Sequence, residues 1–575
     1  MEYIPYMKKI PYAVANYEEI IDAGYYFVDK TRFIRELEQY KIPVFLRPRR
    51  FGKSLWCSIL ECYYDINRKG RFDALFGDTE IGKYPTSSRN SHLVMRFNFS
   101  KIKTSHNYED IEKEFASECQ NTFREFLSAY ASYLPDLKMS DLQDGSTGLG
   151  RIFSEVRSKG APPVHLIIDE YDNFTNQLLT SRKDGLYSRM TTGDSFLRTF
   201  YKVLKAGTED QSVARVFITG VLPVTMDDLT SGFNIAQIVT LKDNLLSMLG
   251  FTQSEVDRYL DLIFREHGWD ERLKEQVRAE LQIHYNGYRF LPGAEDTLYN
   301  STILNFYLND LVISGGKIPE RKIDDNVKID VNWLDRLTGG TEETRILLEK
   351  LMFDGELPVD MSMLQDKFNV KQFFRSEFYP LSLFYLGLTT FRDEFTLGFP
   401  NLTLKTIFVN YFNTVENISV SEGYTGMFRS FLDDNDWSAL FAGYWERYLG
   451  QFPAQSFDKV NENFIRSTFY ELCNRYLSRH LMFAIEVNLP SGRSDWQALG
   501  RPGSKFDNLA FLIEFKHFPE KDKKKILAKK KPDKEDIEQV SGYAGDLMKQ
   551  FPWLTINRHV CYTVGHSGFR FFRLD

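Results

Sequence analysis

The chain has 575 residues, more than one hydrophobic core organises, so two to four domains are expected. It is 43% hydrophobic and 15% aromatic, which excludes a largely disordered chain. Its net charge of −7 excludes a global basic footprint for nucleic acid, so any such contact must be local.

The five cysteines, Cys57, Cys62, Cys119, Cys473 and Cys561, are scattered without metal-ligand spacing, and buried thiols in a reducing cytoplasm are expected. No basic-then-apolar leader opens the sequence and no apolar run is long enough to span a bilayer, so no membrane partner is expected.

In chain order, Tyr25–Thr31 reads as a strand running into a helix capped by Thr31. Val44-Phe45-Leu46 is a short apolar strand, followed by Arg47-Pro48-Arg49-Arg50-Phe51-Gly52-Lys53-Ser54-Leu55 and an apolar helix. Strand, tight turn and Gly-Lys-Ser at a helix start are the layout of a phosphate-binding loop. Backbone N–H groups wrap the phosphates, Lys53 reaches the outer ones and the Ser54 hydroxyl ligates Mg²⁺. Arg47 stands where the general pattern has Gly; the competing reading is a basic turn. Arg47, Arg50, Phe51, Gly52, Lys53, Ser54 and Leu55 form the expected nucleotide-binding segment.

Leu93–Phe99 offers another strand and residues 108–135 an amphipathic helix. Val164–Ile168 is an apolar strand ending in Asp169-Glu170. There Asp169 would hold Mg²⁺ and Glu170 would polarise the attacking water; alone, the pair could equally be an acidic loop closing a core strand. A third apolar strand, Ala214–Ile218, ends in Thr219, at the position where ATPases with an additional strand place a residue that senses the γ-phosphate. A plain strand-end threonine is the alternative. Three apolar strands between helical stretches predict a mainly parallel α/β sheet with helices on both faces and the ligand at the strands' C-terminal ends.

From about residue 240 the texture is helical. Thr252-Gln253-Ser254-Glu255 reads as a capping box. In the aromatic turn Tyr285–Phe290, Arg289 is either a phosphate sensor or, more in keeping with its setting, a structural arginine. Residues 315–330 read as an exposed segment, and residues 383–401 as a hairpin flanked by helices.

The C-terminal region opens with a helix over 461–480, then the strand Leu481–Leu489, a turn, Asp495, and the apolar strand Leu509–His517. With a period of two, Glu514 and Lys516 share one strand face, where both are costly to bury without purpose. Asp495 with Glu514-x-Lys516 is a nuclease-type constellation. Two carboxylates hold Mg²⁺, with Mn²⁺ an acceptable substitute, Lys516 orients or deprotonates a water, and Glu462 adds an outer metal contact. A salt-bridged strand pair is the alternative. The lysine run 521–534 is either a solvated loop or a phosphate-backbone contact. Gln539 could point at the site.

The segments Tyr26–Thr31, Arg47–Ser54, Ile168–Asp172, Thr219–Val221, Tyr285–Phe290, Pro400-Asn401 and Asp495 with Glu514–Lys516 together resemble a bacterial AAA-ATPase-like family, P-loop proteins fused to a C-terminal PD-(D/E)XK nuclease-like domain. In that family an arginine in the Arg47 position is usual. The resemblance implies an ATPase domain over 1–245, a helical lid and middle region over 246–430, and a restriction-endonuclease-like α/β domain over 431–575. It implies ATP and Mg²⁺ as cofactors, nucleic acid (DNA rather than RNA) as partner, and roles in DNA processing or defence against mobile DNA. A homo-oligomer is compatible with it. Two functions stay open: an ATP-controlled, metal-dependent nuclease, and a non-catalytic nucleotide switch or scaffold whose nuclease-like domain only binds nucleic acid or a protein.

Overall fold

A computed structural model describes residues 7–104, 107–229, 233–320, 331–338, 342–364, 368–453 and 457–574. Most of the segment 315–330 lies outside them.

The first sheet is built from β1 (Pro43–Leu46), β2 (Leu93–Asn98), β3 (Val164–Asp169), β4 (Val213–Gly220) and β5 (Gln237–Ile238). Its order is β2-β3-β4-β1-β5, and every pairing is parallel. β4 lies between the P-loop strand and the acidic strand, in the additional-strand arrangement expected from sequence. β1 and β3 are buried along their whole length, as in a sheet covered on both faces. One cover is the helix Lys53–Tyr64; another is Tyr108–Tyr130, whose Ile111, Phe115, Cys119, Phe123, Phe126 and Tyr130 recur every three or four residues and all face inward. Residues 25–30, expected as a strand, form no strand and join no sheet. Thr31 does not cap the helix Phe33–Leu37 that follows it; its hydroxyl accepts from Ile81 N–H (3.1 Å), in the first turn of the helix Glu80–Lys83.

The middle region begins with the helix Gln253–His267, whose capping box forms in both directions between Thr252 and Glu255, as the sequence predicts. The helices Glu271–Tyr285 and Ser301–Ile313 follow. The expected hairpin is β7 (Thr390–Phe391) with β8 (Thr396–Gly398), and β6 (Glu356–Pro358) adds a third antiparallel strand to β8.

The last sheet has the order β13-β12-β11-β10-β9, from β9 (Leu481–Leu489), β10 (Gly492–Gly500), β11 (Leu509–Phe518), β12 (Thr555–Val564) and β13 (Gly568–Leu574). β9, β10 and β11 run antiparallel. β11 and β12 run parallel, which requires the crossover that the helix Lys534–Gln550 supplies. A continuous buried apolar cluster extends from Ile10 to Cys561, so the two sheets share packing through the middle region. Across that junction Arg501, after β10, forms a buried ion pair with Glu280 (2.6 Å). Glu280 also accepts from the Tyr307 hydroxyl (2.6 Å). No helix among the described residues is long and apolar enough to cross a membrane.

Candidate functional site

β1 delivers the chain into a loop in which Arg50 (φ 72°) and Gly52 (φ 86°) take left-handed backbone before the helix starts at Lys53. The loop opens on a cavity of about 280 Å³ lined by Arg50, Phe51, Gly52, Lys53, Ser54 and Leu55, with Glu170 opposite. The buried Lys53 ammonium donates to the Arg47 and Pro48 carbonyls (3.0 Å each), so a phosphate would compete with the loop's own backbone for it. Burial lowers the pKa of Lys53, against the opposing pull of Glu170, Asp172 and Asp169.

Asp169 is fully buried at the end of β3. Its Oδ2 accepts from Arg96 (3.1 Å) and its Oδ1 has no protein partner. An orphaned carboxylate oxygen and the Ser54 hydroxyl are hard donors, and that set fits Mg²⁺. Glu170 holds left-handed backbone (φ 54°), a strained conformation for a glutamate, and accepts from Asn173 (2.6 Å). The next residues are structural. Asp172 accepts from the N–H groups of Val221 (3.1 Å) and Leu222 (2.7 Å), and Tyr171 donates to the Leu222 carbonyl. A Cβ on Gly220 would lie 2.3 Å from Asp172, so the Thr-Gly-Val segment needs glycine for this close approach.

Three expected nucleotide contacts are not among the residues that line the cavity: Asp169, Thr219 and Arg47. Thr219 is buried and donates to the Phe45 carbonyl (2.8 Å). Arg47 is buried between the Phe45 and Phe290 rings and donates to the carbonyls of Thr240 (3.1 Å) and Leu246 (2.8 Å). It braces the loop from behind, where glycine would leave those carbonyls unpaired. Arg289 donates to the Arg392 carbonyl (3.0 Å), the structural alternative of the two read from sequence. Arg96 was missed: it ties Asp169 to the Ser54 carbonyl (3.2 Å) and Glu61 (3.3 Å). A lone charge in an apolar strand was the available signal.

In the last sheet, Asp495 on β10 stands one step past the Trp496–Ile513 pair, opposite Glu514 on β11. Asp495 Oδ2 accepts from Phe515 N–H (2.8 Å), which fixes the two acids side by side despite the long connection between their strands. Lys516 donates to Glu514 Oε1 (3.0 Å), and Glu514 Oε2 is buried without a protein partner. Burial first, and the Asp495 charge second, push Glu514 up to about 8. An acid that burial and the Asp495 charge hold partly protonated even beside Lys516, with one bare oxygen, fits a divalent metal that Glu514 and Asp495 would hold together.

Glu462 lies near the pair: burial raises its carboxyl, and the charges of Lys516, Asp495 and Arg466 also act on it. Its carboxylate accepts from His517 N–H (3.0 Å), and no group of three or more acidic, histidine or cysteine side chains able to hold an ion occurs among the described residues. Gln539 donates to the Tyr543 hydroxyl (2.7 Å).

Two residues at this site were not foreseen. Arg466, one helical turn after Glu462, pairs with Asp495 Oδ1 and with Glu486 (3.2 Å). Glu486, in left-handed backbone on β9 (φ 56°), also pairs with Arg493 (2.9 Å) and Lys405 (3.4 Å). Burial alone would raise Glu486, but Lys405, Arg493, Arg466 and Arg392 outweigh it and hold the carboxyl at about 2. Among the lysines of 521–534, Lys529 pairs with Asp533 and Lys534 with Glu538 (3.4 Å).

Sheet order and site geometry define a class: a P-loop ATPase-type domain joined to a nuclease-type mixed sheet. Residues 11–230 match the family model for a predicted AAA-ATPase, and residues 460–570 match the PD-(D/E)XK nuclease superfamily. The chain thus carries a predicted AAA-ATPase domain on its N-terminal side and a PD-(D/E)XK nuclease superfamily domain on its C-terminal side. Among solved structures it is similar to the Walker-type ATPase paby2304 of Pyrococcus abyssi, at 14% identity over 70% of this chain and 98% of that one, with a TM-score of 0.38. No curated protein matches.

Proposed function

We propose that the chain binds and hydrolyses ATP in its first domain and thereby controls a Mg²⁺-dependent nuclease in its last, acting on DNA in processing or in defence against mobile DNA. The observation that carries this reading is the side-by-side placement of Asp495 and Glu514 with Lys516 on the same strand face, in a chain that also holds Lys53 opposite Glu170. Residues 1–245 are taken as the ATPase, 246–430 as lid and middle region and 431–575 as nuclease.

At the first site Lys53 and the loop N–H groups hold the phosphates, Ser54 and Asp169 would hold Mg²⁺, and Glu170 positions the lytic water. At the second, Asp495 and Glu514 would hold the metal. A metal bound there supplies charge neutralisation at the scissile phosphate and a more acidic water. The Lys516 ammonium orients that water and offsets charge as the phosphorus gains its fifth oxygen.

Coupling is supported by direct contacts. Asn300 and Thr302, at the start of the helix Ser301–Ile313, donate to the carbonyls of Arg49 (3.2 Å) and Arg50 (3.1 Å) in the phosphate loop. The same helix presents Tyr307 to Glu280, which holds Arg501 of the nuclease domain. Any loop shift on nucleotide binding or hydrolysis therefore bears on a rigid element fixed to the far sheet.

The pairing of Arg466 with Asp495 favours a second reading, a nucleotide switch whose nuclease-like domain binds nucleic acid without cutting it. The test is cleavage of plasmid and single-stranded DNA with Mg²⁺ or Mn²⁺, with and without ATP, by wild type, Lys53→Ala and Lys516→Ala. The nuclease reading expects cutting lost in Lys516→Ala and ATP control lost in Lys53→Ala. Wild type that hydrolyses ATP and cuts nothing would leave the switch.

A further inference from the structure

A second cavity, of about 330 Å³, lies where the helix Glu271–Tyr285, residues 392–405 and the last sheet meet. That volume is at the lower end of the ligand-site range, enough for a mononucleotide. Its charged lining is Arg392, Lys405 and Arg493 against the single carboxylate of Glu486. Arg466, which also holds Asp495, leans on that carboxylate from behind (3.2 Å), so the three lining cations face a single carboxylate that is already shared. Lys405 is almost wholly buried, with its ammonium on Glu486 (3.4 Å) and on the side-chain oxygen of Asn463 (3.1 Å). Burying a lysine beside a carboxylate that it shares with arginines is costly unless a further anion completes the set.

The remaining polar lining is amide. Gln282 from the helix Glu271–Tyr285, Asn488 from β9 and Gln550 from the helix Lys534–Gln550 reach the cavity, and their side chains are exposed and unengaged among the described residues. Amides of this kind match the paired donors and acceptors on base edges, as cationic forks match phosphate.

The two turns that frame the cavity are the Tyr-Asn-Gly-Tyr and Pro-Asn segments. Asn401 donates to the Asn286 carbonyl (3.1 Å). Gly287 (φ 104°) lies so close to Pro400 that a Cβ would fall 1.8 Å from its carbonyl oxygen. The chain is built tightly here to close a wall.

We propose that this cavity is a nucleoside-phosphate site, separate from the P-loop, in which Arg392, Arg493 and Lys405 take the phosphate and the amides take the base. The ligand is either a free nucleotide or a nucleotide of a bound strand; binding of either does not depend on cleavage. Occupancy sets the phosphate in competition with Glu486 for the same cations. Glu486 stands next to the Asp495 site through Arg466, so the ligand would be felt at the nuclease acid.

The test uses the full chain carrying Lys53→Ala, to silence the P-loop. It is titrated calorimetrically with the four common nucleoside 5′-monophosphates and with a short single-stranded DNA with and without a 5′-phosphate. Half-exposed Arg493 is the variant least able to disturb folding, and Arg493→Gln should weaken binding roughly tenfold or more, the cost of one charged hydrogen-bond partner. Adding Arg392→Gln should abolish binding, and Glu486→Gln should tighten it several-fold. Tight mononucleotide binding identifies a free nucleotide; binding only of the phosphorylated strand identifies a strand end. The proposal is overturned if no probe binds the Lys53→Ala parent at millimolar concentration. It is equally overturned if Arg493→Gln and the double variant bind as the parent does. ATP binding by the Arg493→Gln chain with Lys53 intact serves as the folding control.

Discussion

Arg466 is the residue whose replacement separates the two readings of the nuclease domain. It occupies one oxygen of Asp495 and reaches Glu486 at 3.2 Å, and its side chain is only 14% exposed. The other Asp495 oxygen accepts from Phe515 N–H. A metal that takes Asp495 must therefore displace Arg466 or share the carboxylate with it. A hydrogen bond to a charged group contributes about 1.5–3 kcal/mol, which corresponds to roughly a tenfold to hundredfold handicap on metal affinity. Arg466→Met keeps the apolar stem, removes the competitor, and leaves Glu486, Asp495 and Glu514 on adjacent strands with less positive charge among them. Mn²⁺ is then expected to bind about ten to a hundred times more tightly than to wild type in a calorimetric titration, with Asp495→Asn as the control that removes the ligand. Unchanged or weaker Mn²⁺ binding in Arg466→Met, with Asp495→Asn still weakened, would refute the competition.

Three further outcomes follow from the same geometry. Glu514 has its folded pKa raised to about 8 from 4.5, so between those values the folded chain keeps a proton that the unfolded chain has lost; its contribution to stability is full below about 4.5 and falls as pH rises toward 8. A metal takes only the carboxylate, so Mn²⁺ affinity should rise with pH by up to about tenfold per unit and level off near 8; a flat profile from about pH 6 to 9 would contradict this. Removing one partner of the buried Arg501–Glu280 pair (side chains 7% and 0% exposed) should cost about 3–5 kcal/mol, and the double change Arg501→Met, Glu280→Leu should cost clearly less than the two singles combined. Chemical denaturation reads both, and additive losses would show that the pair is not coupled. Gly287→Ala places a Cβ against the Pro400 carbonyl in left-handed backbone, a strain of about 1–3 kcal/mol, and should lower the melting temperature by roughly 1–3 °C in a chain of this size; an unchanged value would show that the turn has room.

What could be read from the sequence, and what could not, divides by how local its cause is. Lys53, Ser54 and Asp169-Glu170 stand in short motifs at the ends of apolar strands, where chain direction alone fixes the chemistry's address. Glu514 and Lys516 were legible for a related reason: on a strand of period two, a charge on an apolar face needs a partner. The same argument applied to β2 and β9 would have singled out Arg96 and Glu486, each a lone charge in an apolar run. Arg466 carried no such mark, because a helix tolerates arginine anywhere on a wet face and only the fold shows that this face is dry. Thr219 and Arg47 failed for the opposite reason. Their positions were right, but position along a strand does not fix the partner a hydroxyl or guanidinium finds. The Phe45 carbonyl lies 174 residues from Thr219, and the carbonyls that hold Arg47 lie 193 and 199 residues away. Both are spent on closing the loop's own scaffold. Arg47 therefore marks a division of labour inside the motif: where a general phosphate loop opens with glycine, this one opens with a brace, and the left-handed positions fall at Arg50 and Gly52, beside the phosphates' expected path. The brace also stacks on Phe290, and Phe51 of the loop packs edge-on against Tyr288 (5.0 Å) and Phe290 (5.6 Å). The turn that continues from Gly287 toward Pro400 and Lys405 is thus anchored on the phosphate loop itself. A segment with no chemistry of its own lies between the two sites because each end of it is packed against one of them.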